Sequence, residues 1–540
     1  MSASDEAKLL DLRRRSERLF KRPYNNLPVL VAPELAASQV QSVVRVDTGE
    51  EVTDMNAIFN VFDVTHERTA LGLAQSFAQS AAAQPDTAGL DAALDAAEAA
   101  LATQNSDLVK FALSVFITNN PRGRNLYIPP AVEQSPELFI PSRPNVSPAA
   151  AALGGLGAEA ALDYFREDPD FNSHHAQWHR VYPASGSVDP NDENGPPIAK
   201  DRQGELFWYM HQQMLARYDT ERIALNLNPV VPFENYREMI PEGYRTEAII
   251  ANRYSGRDPD RLIANVRFNL GGGATLDVTD LEAARDQLRE AARTGQFNGN
   301  GGGPIPLTPD ARGATLFGAS LEASVGSALT QGDVAAVGGL HNIGHGFFSA
   351  LSAPRPGVMG DTAAAVRDPV FHRWHRHIDG LFAEWQEHLP PNDLGAGAPP
   401  VILRKDETGQ STDIGLALLS DLQPGIQDGT QFDGAAFGAQ RFGGDNWDTP
   451  LANFVGGDGK LTRTLQSSIG RYNLVLPNGN RFPIFHLDHA EFAYFFRLEN
   501  TSDSEQQVTV RVFLAATERA DDRRWWIEMD KFLQTLAPTE

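Results

Sequence analysis

Cysteine is absent from the 540 residues, which excludes disulfides, thiolate metal sites and a thiol nucleophile and leaves the redox compartment open. No apolar run approaches the ~20 residues that a bilayer-spanning helix needs. The first twenty residues, MSASDEAKLLDLRRRSERLF, are charged throughout and lack the apolar stretch of a secretory leader. A soluble protein without a Sec-type signal peptide is expected, cytoplasmic or exported by another route. Positive charge is scarce: 46 Lys and Arg stand against 70 Asp and Glu, a formal charge of −24, and that field repels phosphate backbones and anionic lipid surfaces. Nucleic acid and membranes are poor partners for such a chain. An HExxH motif is also missing, which with the lack of Cys disfavours ordinary zinc sites. What is present, 41% apolar and 21% charged residues, is a globular composition long enough for two to four domains.

From Leu9 to about Pro144 the chain reads helical. Ala-rich Gly89–Ala102 precedes Ser106–Ile117, in which Ser106 is placed to cap and Leu108, Phe111, Ala112, Val115 and Phe116 form one stripe. The Pro, Ser and Gly content of 141–156 marks a boundary. A second helical region runs to about Pro391, interrupted at Gly295–Pro309 by a Gly-rich segment expected to be a mobile loop rather than a phosphate cradle, because no Lys-Ser/Thr pair follows it. Beyond Pro390–Pro400 the texture is β-type. Phe492–Leu498 and Gln507–Ala515 flank turn residues 499–504 and are expected to pair as a hairpin.

Nine of the thirteen His fall within Phe171–Asp379, and neutral imidazole is a common ligand for Zn, Cu, Fe and Ni. On a helix, residues four apart lie ~40° apart on one face. His175 and His179 have that spacing, and so do His341 and His345. His174 instead shares a face with Trp178, which suggests packing or a hydrogen bond to a ligand. His211 lies among Phe207, Met210, Met214, Leu215 and Tyr218, an inward-facing set. Asp368-Pro369 opens a further helix whose buried stripe is Phe371, Trp374, Ile378 and Phe382, and of its three His the best inward candidate is His375 rather than His372 or His377. Two sets of three His with no obligatory carboxylate suit a pair of copper ions better than di-iron or zinc chemistry.

HHAQWHRVYP, GELFWYMHQQMLARYD, LHNIGHGFFS and GVMGDTAAAVRDPVFHRWHRHID resemble the two copper motifs of arthropod hemocyanins and prophenoloxidases, the type 3 dicopper proteins. SDLVKFALSVFI is similar to that family's N-terminal helical domain, and FHLDHAEFAYFFRLEN, VTVRVFLA and WWIEMDKFLQTL to its C-terminal β domain. The resemblance implies a multidomain α+β fold: a helical N-terminal domain at 1–150, a four-helix-bundle dicopper domain at 151–392 and an immunoglobulin-like β-sandwich at 393–540. The family's last domain continues past WWIEMDKF, so truncation of the sandwich is an expectation. A bacterial-type relative is compatible with this departure.

The same resemblance implies two copper ions, one held by His175, His179 and His211 and the other by His341, His345 and His375. O2 would be the co-substrate and a small phenol, mono- or o-diphenol, the substrate, oxidised to an o-quinone. Reversible O2 binding of the hemocyanin kind is the alternative, and a homo-oligomer is compatible with either. Asn342, after His341, resembles the Asn that in tyrosinases helps a carboxylate and a water take the phenol proton, and it could equally be a hydrogen-bonder to a ligand. Asp361 is the candidate acid, since Asp368 is expected to cap. A Phe of the family's N-terminal domain occupies the substrate position, and AIFNVFDVTHERTALGLAQSF resembles the segment that carries it. Phe59 or Phe62 is then the placeholder, and core packing is the alternative for both. His486 and His489, three apart on an expected strand, point to opposite faces and make poor co-ligands.

Overall fold

Several helix starts in this chain are set by short polar side chains. Asp63 accepts hydrogen bonds from the Thr65 and His66 amides and opens helix Val64–Ala82. At the next-but-one helix, Ser106–Asn119, the cap is Asn105 rather than Ser106, because the Asn105 carboxamide oxygen reaches the Asp107 and Leu108 amides at 3.0 and 3.2 Å. These two helices and Asp86–Leu101 bury Ala74, Phe77, Ala78, Leu94, Ala97, Val109 and Leu113 in a core that runs from Leu9 to Leu126. Small Ala side chains on all three let the axes approach. A computed structural model describes residues 3–21, 44–47, 59–135, 158–245, 253–269, 275–299, 303–328, 339–393, 395, 397–405, 413–418, 467–475 and 481–538. The boundary expected near residue 150 lies outside them.

A second core gathers Phe207, Phe317, Leu340, Phe347, Phe371, Trp374, Phe382 and their neighbours. It sits among helices Pro169–Val181, Gln203–Ala224, Val278–Thr294, Ala311–Glu322, Gly339–Ser349 and Pro369–Glu387. Close helix approach needs glycine at two places. A Cβ on Gly204 or Gly318 would run into the other helix's backbone, and one on Gly344 would run into the Trp374 indole. The last contact brings Gly339–Ser349 against Pro369–Glu387. Asp368 and Pro369 open that last helix as expected. Asp368 is also locked in a buried ion pair with Arg257 at 2.6 and 3.0 Å.

Strand Val44–Asp47 pairs in parallel with Val266–Asn269, which pairs antiparallel with Thr275–Leu276. This sheet was not legible in the sequence. The segment after Gly295 is likewise not a plain loop. Gly295, left-handed at φ 69°, ends its helix, and Gln296–Gly299 then pairs antiparallel with Gly303–Pro306.

The chain divides into two compact units, Met1–Pro390 with Arg471–Phe485, and Pro391–Gly470 with His486–Glu540. In the second, the expected hairpin is replaced by two longer-range pairings. Phe492–Phe496 pairs with Ile414–Leu418, and Gln506–Leu514 pairs with Ile527–Leu536. The described strands form two-stranded antiparallel sheets and do not display an immunoglobulin-like sandwich. Arg481–His489 is a strand, as the spacing argument for His486 and His489 supposed. Among the described residues no helix is long and apolar enough to cross a membrane.

Candidate metal centre

Four helices each direct buried histidines to one point. His175 and His179 come from Pro169–Val181, His211 from Gln203–Ala224, His341 and His345 from Gly339–Ser349, and His375 from Pro369–Glu387. All six are at most 2% exposed. Ring nitrogens of His175, His179 and His211 lie within 4.8 Å of one another, and so do those of His211, His341 and His375. His345 joins them with its ring centroid 4.8 Å from that of His341 and 5.2 Å from that of His375. The structure thus brings together the six histidines expected to face inward, with His211 close to rings of both expected triads.

The protons on these rings are fixed by what surrounds them. Backbone carbonyls accept from Nδ1 of His175 (Thr362 O, 2.8 Å), His211 (Phe207 O, 2.8 Å), His345 (Met359 O, 2.9 Å) and His375 (Phe371 O, 2.7 Å). A carbonyl can only accept, so each of these rings carries its proton on Nδ1 and leaves the Nε2 lone pair bare. His341 is held the same way by Asn342 Oδ1 at 2.7 Å, and the Asn342 amide group donates to the Glu322 carbonyl at 3.3 Å. Asn342 is therefore a hydrogen-bonder to a ligand position. Two of the carbonyls, Met359 and Thr362, come from the GVMGDT segment, which explains physically why that stretch lies beside the histidine motifs.

The consequence is a knot of unsatisfied lone pairs. Nε2 of His175, His179, His211 and His345 is buried with no hydrogen-bond partner. Nε2 of His341 faces Nε2 of His375 at 3.0 Å, and with both Nδ1 atoms protonated neither can donate to the other. Burial pushes all six rings below their ordinary value, His175 to about 3 and His341 to about 4, and repulsion from neighbouring rings adds to it at every one but His341. Neutral imidazoles with bare, converging, buried Nε2 atoms are what a soft-to-borderline transition ion requires, and protonation cannot relieve them.

The other candidate residues separate. Phe62 lies on the cluster, its ring stacked on His345 at 3.8 Å and edge-on to His179 at 5.4 Å and His341 at 5.8 Å. Phe59 points elsewhere, against His66 and Phe111. Both Asp361 oxygens are engaged, Oδ1 by the Ala363 amide at 2.8 Å and Oδ2 by the Tyr254 hydroxyl. Asp361 is thus held as a turn residue. His372 stacks on Tyr218 and His377 hydrogen-bonds the Tyr236 hydroxyl at 2.8 Å. His174 is exposed rather than packed beside Trp178.

Two acids escaped the sequence reading. Glu322 is 1% exposed, its Oε1 is 4.0 Å from His179 Nδ1, and burial together with the charge of Glu67 raises its pKa well above the usual range. Glu67, on the helix that follows Phe62, accepts from the Ser185 hydroxyl at 3.0 Å, and burial pushes it up to about 7. Neither carries a sequence signal, since Glu at helix positions is ordinarily solvated.

Residues 133–382 match the family model described as hemocyanin, copper containing domain. Among curated proteins the chain is 32% identical to Phenoloxidase 2 of Drosophila melanogaster over 80% of its own length, and 31% identical to the Hemocyanin B chain of Aphonopelma sp. over 81%. It spans 61% and 65% of the length of those two relatives. Among solved structures, a crustacean hemolymph-type prophenoloxidase matches with a TM-score of 0.67 at 22% identity, covering 97% of this chain and 81% of that one. A scorpion hemocyanin in its activated state matches at 0.66 and 26%, covering 98% and 79%. The six-histidine knot on four helices and these matches lead to one conclusion: the chain belongs to the arthropod-type hemocyanin and phenoloxidase family of copper proteins.

Proposed function

We propose that this protein is a type 3 copper phenol oxidase that converts mono- or o-diphenols to o-quinones with O2. In this reading His175, His179 and His211 hold one copper ion, and His341, His345 and His375 the other. When bound, the two ions supply the exchange of electrons with O2. The protein's part is to orient and exclude. Carbonyls of Phe207, Met359, Thr362 and Phe371 and the carboxamide of Asn342 keep Nδ1 of His211, His345, His175, His375 and His341 protonated, so the Nε2 atoms of these five rings need no rearrangement to bind metal. Glu322, buried beside His179, is in a better position than Asp361 to hold a proton released by a phenol. Phe62 occupies the phenol's place in the resting protein. Domain limits at 150 and 392, with an immunoglobulin-like last domain, belong to the same reading.

The single observation that carries it is the set of buried Nε2 atoms of His175, His179, His211 and His345 that have no hydrogen-bond partner among the described residues. Reversible O2 binding is the second reading, and it is favoured by the ring of Phe62 on His345, which leaves room for a diatomic molecule but not for a substrate. The test is copper content followed by catechol turnover. Two copper ions per chain and quinone formation are expected. His175→Ala and His341→Ala should each lower copper content and abolish turnover, while His372→Ala and His377→Ala keep the copper. A doubly loaded protein that takes up O2 reversibly yet never forms quinone, even with Phe62→Ala, is a carrier.

A further inference from the structure

The turn that presents Phe62 is held from one helical turn further along the chain. Asn60 Oδ1 accepts from the Phe62 amide at 2.9 Å, and the Asn60 carbonyl accepts from the Asp63 amide at 3.1 Å. The Asn60 amide in turn donates to His66 Nδ1 at 3.0 Å. His66 can accept that bond only as the neutral ring with its proton on Nε2. Protonation of Nδ1 would set two N–H groups against each other and remove the anchor of the turn. The ring is half-buried and stacks on Phe59 at 6.0 Å.

We propose that the Asn60–His66 hydrogen bond is an acid-sensitive latch, so that mild acid, by protonating His66, frees the turn that keeps Phe62 over the histidine cluster. The inference rests on reading Phe62 as the occupant of the substrate position. The charged groups around His66 are few among the described residues. Asp63, at the helix cap, favours the protonated ring, while burial disfavours it and pulls the pKa below its ordinary value. Glu67 follows on the same helix and its charge raises the pKa of Glu322 at the end of Ala311–Glu322, and acid drives both carboxyls toward the neutral forms that their burial in the folded chain favours. From the helix Ser106–Asn119, Phe111 packs on Phe59, the ring that His66 stacks on, and the helix carries Asp107, paired with Arg253 at 2.7 Å, and Lys110 as its charged groups. His66 is therefore the group in this set whose protonation opens the turn, and the carboxyls oppose it. Between the pKa values of His66 in the closed and open states, the closed-to-open ratio falls about tenfold per pH unit.

The experiment is amide hydrogen exchange on the full, copper-free chain, read as protection factors for Asn60, Phe62 and Asp63 after correction for intrinsic exchange. In the wild type these factors should drop roughly tenfold or more from about pH 7.5 to about pH 5. In His66→Gln, whose side-chain oxygen accepts the same bond but does not titrate, they should stay level. Should that variant not fold, His66→Asn serves the same purpose. A level wild-type profile, or an equal drop in the Gln or Asn variant, overturns the latch. Because no copper is present, this outcome is independent of catechol turnover. A chain with the pH response but no quinone formation keeps the latch and loses the enzyme reading.

Discussion

Phe59 and Phe62 are three residues apart and face different neighbours, so the same truncation should read out differently at each. Phe62→Ala removes the ring that stacks on His345. With copper content unchanged, diphenol oxidation measured without detergent or protease should rise roughly tenfold or more if the ring is in place most of the time. Phe59→Ala opens a void in the N-terminal core against Phe111. It should cost about 3 kcal/mol in denaturant unfolding and leave the resting rate unaltered. Equal rates in wild type and Phe62→Ala would remove the placeholder role. At this scale the histidines were legible because a four-residue spacing fixes a helix face whatever the tertiary fold. The acids were not. Glu67 and Glu322 become unusual only because distant residues desolvate them, and the Asn342 side chain had two chemically sensible uses until its partners, His341 and the Glu322 carbonyl, were in view.

Helices and strands differ in how far their sequences foretell their neighbours. Apolar periodicity marked Ser106–Asn119, Gln203–Ala224 and Pro369–Glu387 as helices and marked which face is buried. For the strands it gave the element but not the partner. Phe492–Phe496 pairs with a strand from some eighty residues earlier rather than with Gln506–Leu514, and alternation contains no information on which edge is met. Helix contacts do leave a trace where glycine is obligatory. Gly344 lets Gly339–Ser349 press on Trp374, and that contact sets how close His341 and His345 come to His375. Gly344→Ala should therefore push the two ligand-bearing helices apart, costing about 1–3 kcal/mol and lowering copper content below that of the wild type. A thermal melt together with metal analysis checks both. Full copper loading in a destabilised variant would separate the packing from the site.

In the larger unit the N-terminal core and the histidine core meet at Glu67, whose carboxyl lies against Ser185 and whose charge raises the pKa of Glu322. Its pKa in the folded chain is about 7 against an ordinary 4.5. The folded state thus binds the proton more tightly than the unfolded one, and the associated stability is present in full below 4.5 and is lost as pH rises through 7. The loss is about 3 kcal/mol at most. Glu67→Gln should flatten the decline in melting temperature between about pH 5 and pH 8, and an unchanged decline would assign it to other groups. The parallel pairing of Val44–Asp47 with Val266–Asn269 adds a kinetic consequence. The chain that leads to Phe62 is stitched into the sheet beside the histidine core, so a displaced ring stays on a short tether. A phenol competing for the place of that ring would face an effective concentration on the order of millimolar, first-order in its return, and diluting the protein would give no relief from it.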